Sequence, residues 1–315
     1  MVGILSITGV IFVLIGIGFL TVRLAVFSAA EMGTLGKFVV NLALPALILR
    51  SVSSRPIGEI ANIGYLAAML GGSLLVFGLG YLWSRRVSGA TPVASTFRAM
   101  GMSCANSGFV GYPVLLMALP DVATTALALN MIVENLVMLP LVLVLAERGH
   151  GAAGSGRRLA RQIAGRLARN PILIALILGV GLSVAGLAML AVLARSVDAL
   201  ANASAAVSLV VIGGTVAALP LGSIGADMVP VIAGKLLLHP LAVWLGLGLM
   251  AALGLGVGDP QLAAAAVIMA AMPVMSIYPI LAQRYGEDRT AALAMFAMTA
   301  LSFFSISGML ALALP

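Results

Sequence analysis

Two short stretches of this chain carry the residue types from which an anion site can be built inside an apolar environment. The first reads Asn106-Ser107-Gly108-Phe109-Val110-Gly111-Tyr112-Pro113, and the second Pro273-Val274-Met275-Ser276-Ile277-Tyr278-Pro279. Proline lacks a backbone donor and breaks the helical ladder. Hydrocarbon tolerates such a break only where the freed polar groups face protein or a watery cavity. A half-helix that restarts at the break presents free N–H groups and partial positive charge, which suits a carboxylate. Asn106 adds an amide with both donors and an acceptor, and Ser276 is the polar side chain of the second stretch. With Ser107, Tyr112, Pro113, Tyr278 and Pro279 they form the candidate binding set. A proline kink without a ligand is the plain alternative for either stretch alone. Matched breaks in two halves point instead to the binding site of a transporter.

A second group of residues could move protons or ions. Glu134 is the one acidic residue near the middle of an apolar run. Burying a lone carboxylate at the bilayer centre costs at least ~2.5 kcal/mol, so it is protonated, paired or facing water. Its two readings, a proton-coupling or substrate-contacting group and a structural carboxyl bonded to a neighbouring helix, stand side by side. Asn130 shares its helical face at i,i+4 and joins the candidate binding set, whereas Asn135 points about 100° away. Asn135 and His239 complete the candidate coupling set. Lys235 is expected to snorkel from the end of its span, and His239, which precedes Pro240, has a packing role as its alternative reading. The single cysteine, Cys104, excludes an intramolecular disulfide and reads as a packing residue. HExxH, GxSxG and phosphate-loop patterns are absent, so no enzyme, cofactor or metal site is expected, with H+ or Na+ the only coupling ions considered.

The elements that must hold these residues are membrane helices. The chain is 62% hydrophobic and 9% charged, with mean hydropathy +1.18, against about 45–50% apolar and about 25% charged in soluble domains. The bilayer is therefore its partner. Its net charge of +7 comes from basic residues clustered between apolar runs, a pattern of topology and not of nucleic-acid binding. Tyr112-Pro113-Val114-Leu115 returns 166 residues later as Tyr278-Pro279-Ile280-Leu281. The same offset sets Asp121 opposite Glu287, Thr124 opposite Thr290, and Ala126-Leu127-Ala128 opposite Ala292-Leu293-Ala294. Ten runs approach the ~20 residues a span needs: roughly 4–22, 34–53, 62–83, 97–118, 122–146, 171–190, 199–219, 229–253, 261–282 and 291–313. The first has no basic start or cleavage pattern and reads as a retained span, not a signal peptide. Five spans per repeat is odd, so the second half enters from the opposite side. The expected fold is an all-α membrane protein with two inverted five-helix repeats, residues 1–148 and 170–315, joined by a basic linker, 149–169.

That linker carries Arg157, Arg158, Arg161, Arg166 and Arg169, with Arg148 just before it, against Glu147 alone, and is expected in the cytoplasm. Arg23, Lys37, Arg85, Arg86, Arg98, Arg284 and Arg289 then fall on the same side. Arg50, Arg55 and Arg195 fall on the other, with both termini, in a cell (cytoplasmic) membrane. The Gly149–Gly156 stretch reads as a flexible connection.

Asn106-x4-Gly111-x-Pro113 resembles the signature of the auxin efflux carrier family. So do Lys37-Phe38-Val39-Val40-Asn41-Leu42-Ala43-Leu44-Pro45, Lys235-Leu236-x3-Pro240, Met272-Pro273, and Ala282-x2-Tyr285-Gly286. The resemblance runs along most of the chain, and the short central loop is similar to the bacterial branch. It implies a scaffold of spans 1, 2, 6 and 7, and a moving transport domain of spans 3–5 and 8–10. Crossed, broken helices 4 and 9 would meet at Pro113 and Pro279, with Asn106 meeting the carboxylate of an organic anion such as malonate or malate. The expected function is secondary transport by alternating access, with a homodimer built on the scaffold's apolar outer face. A cation–proton antiporter of the same architecture is the alternative, and a membrane-embedded enzyme or a channel the more distant ones.

Overall fold

A computed structural model describes residues 2–53, 62–150, 156–219 and 225–313. Arg55 lies outside them, as does most of the Gly149–Gly156 connection, and the side chains of Arg157 and Arg158 are not described. Among the described residues the chain is helical, with one isolated antiparallel β-bridge, Ala105 to Val274. In chain order the helices are α1 (Val2–Arg23), α2 (Ala29–Ser53), α3 (Ile63–Arg86), α4 (Pro92–Ser103), α5 (Ser107–Ala118), α6 (Pro120–Gly149) and α7 (Gly156–Ala168). There follow α8 (Pro171–Ala185), α9 (Ala191–Ala218), α10 (Val229–Ala252), α11 (Pro260–Ala270), α12 (Tyr278–Gln283) and α13 (Asp288–Ala313).

Their ends follow from local chemistry. Ser28 and Glu31 form a capping box at α2, and Asn62 caps α3. Thr91-Pro92, Asn170-Pro171 and Asp259-Pro260 open α4, α8 and α11 with a capping side chain and a proline whose missing N–H costs nothing there. Gly186, at φ 62°, closes α8 in the left-handed conformation. Inside the helices, four π-helical segments end two residues before a proline: Val39–Ala43 before Pro45, Ser107–Gly111 before Pro113, Val133–Met138 before Pro140, and Gly234–Leu238 before Pro240. The proline ring crowds the carbonyl four residues earlier, which lies inside the widened turn in each case.

Among the described residues six helices are long and apolar enough to cross a membrane, or seven if α7 and α8, bent by 60° at their junction, are one span. The ten expected spans are thus not all continuous. Expected spans 4 and 9 are each two short helices, α4 with α5 and α11 with α12, because the chain runs irregularly through 104–106 and 271–277. The linker is not all loop either: α7 occupies most of 149–169, with Ile163 and Leu167 packed inward and Arg161 exposed.

Packing repeats with the sequence. The closest pairs are α1 with α9 and α8 with α2, which exchange under the 166-residue shift, and α3 with α10, which maps onto itself. At α1–α9 a Cβ on Gly18 would overlap the Val210 carbonyl oxygen, and one on Gly213 would overlap that of Ile15. Both backbones touch because neither position has a side chain.

Candidate functional site

The two breaks meet. After α4 ends at Ser103, Cys104 is extended (φ −102°, ψ 128°), and the Asn106 N–H donates to the Pro273 carbonyl at 2.8 Å. The Asn106 Oδ1 accepts from the Phe109 N–H at 3.3 Å, capping α5, while its Nδ2 donates to Ser276 Oγ at 2.9 Å. Asn106 is thus bonded to both strands of the crossing through backbone and side chain, and it is 3% exposed. Tyr112 and Tyr278 are both buried; Tyr278 and Pro279 open α12, whereas Tyr112 and Pro113 lie within α5, where its widened first turn gives way to regular α-helix.

α6 brings a hydrogen-bonded chain to the first break. Asn130 Nδ2 donates to Ser107 Oγ at 3.0 Å, and Ser107 Oγ donates to Glu134 Oε1 at 2.7 Å. Tyr65 of α3 donates its hydroxyl to Asn130 Oδ1 at 3.1 Å. Asn130, Ser107 and Glu134 are all buried. Asn135 faces elsewhere: it donates to the Met131 carbonyl at 2.9 Å and accepts from Asn170 Nδ2 of the α7–α8 junction at 3.1 Å.

α10 serves the second break with a cation. Lys235, expected to snorkel, is 0% exposed and donates to the Ala270 carbonyl, the last of α11, at 2.6 Å. The chain break explains this correction. A helix that ends in the interior leaves carbonyls without partners and a partial negative charge, and an ammonium supplies both needs. Lys235 Nζ also lies 2.7 Å from His239 Nδ1, and His239 Nε2 lies 2.9 Å from Ser73 Oγ. His239 Nδ1 also lies 3.1 Å from the Ala270 carbonyl, so Lys235, His239 and that carbonyl form one cluster. Ser73 and His239 are separated by 166 residues, the repeat offset itself.

The structure therefore joins Asn106, Ser107, Ser276, Asn130 and Glu134 at the crossing, sets Lys235 and His239 on its second break, and leaves Asn135 apart. Tyr65, Ser73 and the Pro273 and Ala270 carbonyls were not among the expected groups. Ser73 is reachable from His239 by subtracting the repeat; the others carry no sequence signal. Chemically the crossing offers hydroxyls, amides and half-helix donors, with the Glu134 carboxyl bonded behind Ser107 and Lys235 at the end of α11.

The family model described as Membrane transport protein matches residues 8–310. The chain belongs to that family, the auxin efflux carrier family. A protein of Rhizobium meliloti named "Putative malonate transporter" is 30% identical over 310 residues, covering 97% of this chain and 95% of that protein. An "Uncharacterized transporter" of Methanothermobacter thermautotrophicus is 33% identical over 109 residues, a third of each chain. Membership marks this multi-pass helical protein as a membrane transporter.

Proposed function

We propose that this transporter carries a small organic anion, a carboxylate, by alternating access around the crossing of 104–106 with 273–276. The observation that carries the reading is the meeting of the two breaks at Asn106, where amide, hydroxyl and half-helix N–H groups converge. The malonate named for the Rhizobium relative is in the same chemical class. α1, α2, α8 and α9 form the scaffold, and α3–α6 with α10–α13 form the moving unit. Two inverted repeats are supported by the helix pairs that exchange under the 166-residue shift. The basic face bearing α7 is cytoplasmic, in a cell membrane, by its excess of arginine.

The bonding of Asn106 has a direct consequence for binding. The Asn106 amide already donates to Ser276, so an arriving carboxylate replaces that hydroxyl as acceptor. Glu134 is the proton-coupling group, one bond from the crossing through Ser107. A cation–proton antiporter on the same scaffold is disfavoured by the groups at the crossing, where the carboxyl of Glu134 stands among amides and hydroxyls without a second acidic partner among the described residues. The apolar outer face of α8 and the start of α9 (Ile177, Leu178, Val184, Leu193) meets lipid or a second copy in a homodimer.

The test is uptake of labelled mono- and dicarboxylates into proteoliposomes, with pH and sodium gradients set separately, by the natural protein and by Asn106→Ala. A hydrogen bond to a charged group is worth about 1.5–3 kcal/mol, so Asn106→Ala should weaken apparent affinity roughly tenfold to a hundredfold. Unchanged kinetics in well-folded Asn106→Ala would remove Asn106 from the site, and no carboxylate uptake by the natural protein would end the reading.

A further inference from the structure

A cavity borders helices that meet at the crossing. It has a volume of about 440 Å3 and opens between α7, α8, α6 and α12, with Val40 of α2 on one wall. That volume is within the ~300–1,000 Å3 of small-molecule sites. Its charged lining residues are Arg166 and Arg284, both exposed at its rim. Among the described residues neither guanidinium is in a salt bridge. Both oppose the rise that burial and the Glu147 hydrogen bond impose on Tyr285, whose hydroxyl is pushed up to about 12, so their fields converge beside the cavity. The half-buried amides Asn135 and Asn170, bonded to each other, line it as well, as does the exposed Ile277, adjacent in sequence to Ser276 of the crossing.

The walls belong to two sets of helices. α7 is joined to α8 through two residues, so Arg166 travels with the scaffold. Arg284 directly follows α12, so it travels with the moving unit. Ile163, Arg166 and Leu167 share one face of α7 by their i, i+3, i+4 spacing, and all three line the cavity. Arg161 of the same helix does not.

Resting on the functional reading above, we infer that this cavity is an antechamber that binds the transported carboxylate between Arg166 and Arg284 before it reaches Asn106 and Ser276. A small dianion spans two guanidiniums from opposite walls, and its short apolar body lies against Leu139, Ile163 and Ile280. The site exists only while the two units hold this relative position. It therefore gathers substrate at one face and dissolves when the moving unit departs. Rim arginines also raise the local concentration of anions, an effect that weakens with added salt.

A local thiol tests this. Ile280, which lines the cavity, is exposed; with Cys104→Ala, the Ile280→Cys protein carries one reactive thiol. In phosphatidylcholine nanodiscs, malonate should slow maleimide labelling of that thiol severalfold. Each of Arg166→Gln and Arg284→Gln should raise the half-protecting concentration about twofold to fivefold, the scale of an exposed charge contact. Arg284→Lys should retain most of the protection, and Arg161→Gln and Asn106→Ala all of it. Protection that is absent, indifferent to Arg166 and Arg284, or lost in Asn106→Ala would overturn the antechamber. Labelling slowed by phosphatidylglycerol alone would give the arginines to a lipid headgroup and also overturn it. Malonate uptake by the same proteins reads the functional proposal separately: protection without uptake removes the transport reading, and uptake without protection removes only the antechamber.

Discussion

Glu134 is held by the Ser107 hydroxyl at 2.7 Å in a pocket nearly closed to solvent, one bond from the break that carries Asn106. A group couples a proton to transport only if its proton affinity differs between the two access states. Rearranging the crossing alters the Ser107 contact, so Glu134 is placed to register the change. Glu134→Gln keeps the acceptor for Ser107 and fixes a neutral group. We expect it to exchange substrate for substrate normally while losing accumulation driven by a pH gradient. Normal pH-driven accumulation by this variant would make Glu134 structural. Much of this neighbourhood was legible: the i,i+4 pairing of Asn130 with Glu134, and the polar pair Asn106 and Ser276 beside matched prolines. Lys235 was not legible, because its partner is the carbonyl of Ala270. A main-chain acceptor freed by a break in another helix leaves no mark in the residues around the lysine. Tyr65 escaped for a related reason, since its partner Asn130 lies 65 residues away.

At the scale of elements, prolines and glycines write most of the plan. Pro45, Pro113, Pro140 and Pro240 each follow a widened turn, and the composition of the apolar runs announces the long helices. The resemblance implies crossed helices meeting at Pro113 and Pro279; the contact lies instead between 104–106 and 273–276, as a main-chain bridge that no side-chain pattern marks. α7 shows the opposite failure. Its arginines dominated the reading as a loop, although Leu159, Ile163 and Leu167 recur at helical spacing. The tightest helix contact rests on glycine. Leucine at Gly213 would drive its side chain into the Ile15 carbonyl of α1, and overpacking of this kind costs typically about 1–3 kcal/mol. Gly213→Leu should lower the melting temperature of the detergent-solubilised protein by several degrees. Gly71→Leu, where a Cβ meets nothing within 4 Å, should leave it unchanged. Equal melting temperatures would mean that α1 and α9 separate without cost.

Over the whole molecule, several polar contacts among the described residues follow the proposed units. Arg98–Asp227 at 2.6 Å and Tyr285–Glu147 at 2.8 Å tie moving-unit helices to each other, and Arg50 bonds Asn202 of α9 at 3.0 Å within the scaffold. The Asn135–Asn170 bond crosses between the two sets, at the cavity. Apolar contacts slide at little cost in enthalpy, whereas each polar bridge must break, so a boundary poor in bridges suits relative motion of packed helices. The 166-residue repeat made two halves legible in the sequence. Which helices move together enters only through the family resemblance, because the proposed units interleave the halves and the repeat alone does not separate them. The central claim is that a carboxylate crosses by alternating access, and trans-stimulated exchange tests it most directly. Proteoliposomes loaded with unlabelled malonate should take up external labelled malonate faster than empty ones, because the return of the loaded carrier replaces the slower return of the empty one. A rate of carboxylate entry indifferent to internal malonate, or no entry at all, would contradict the account.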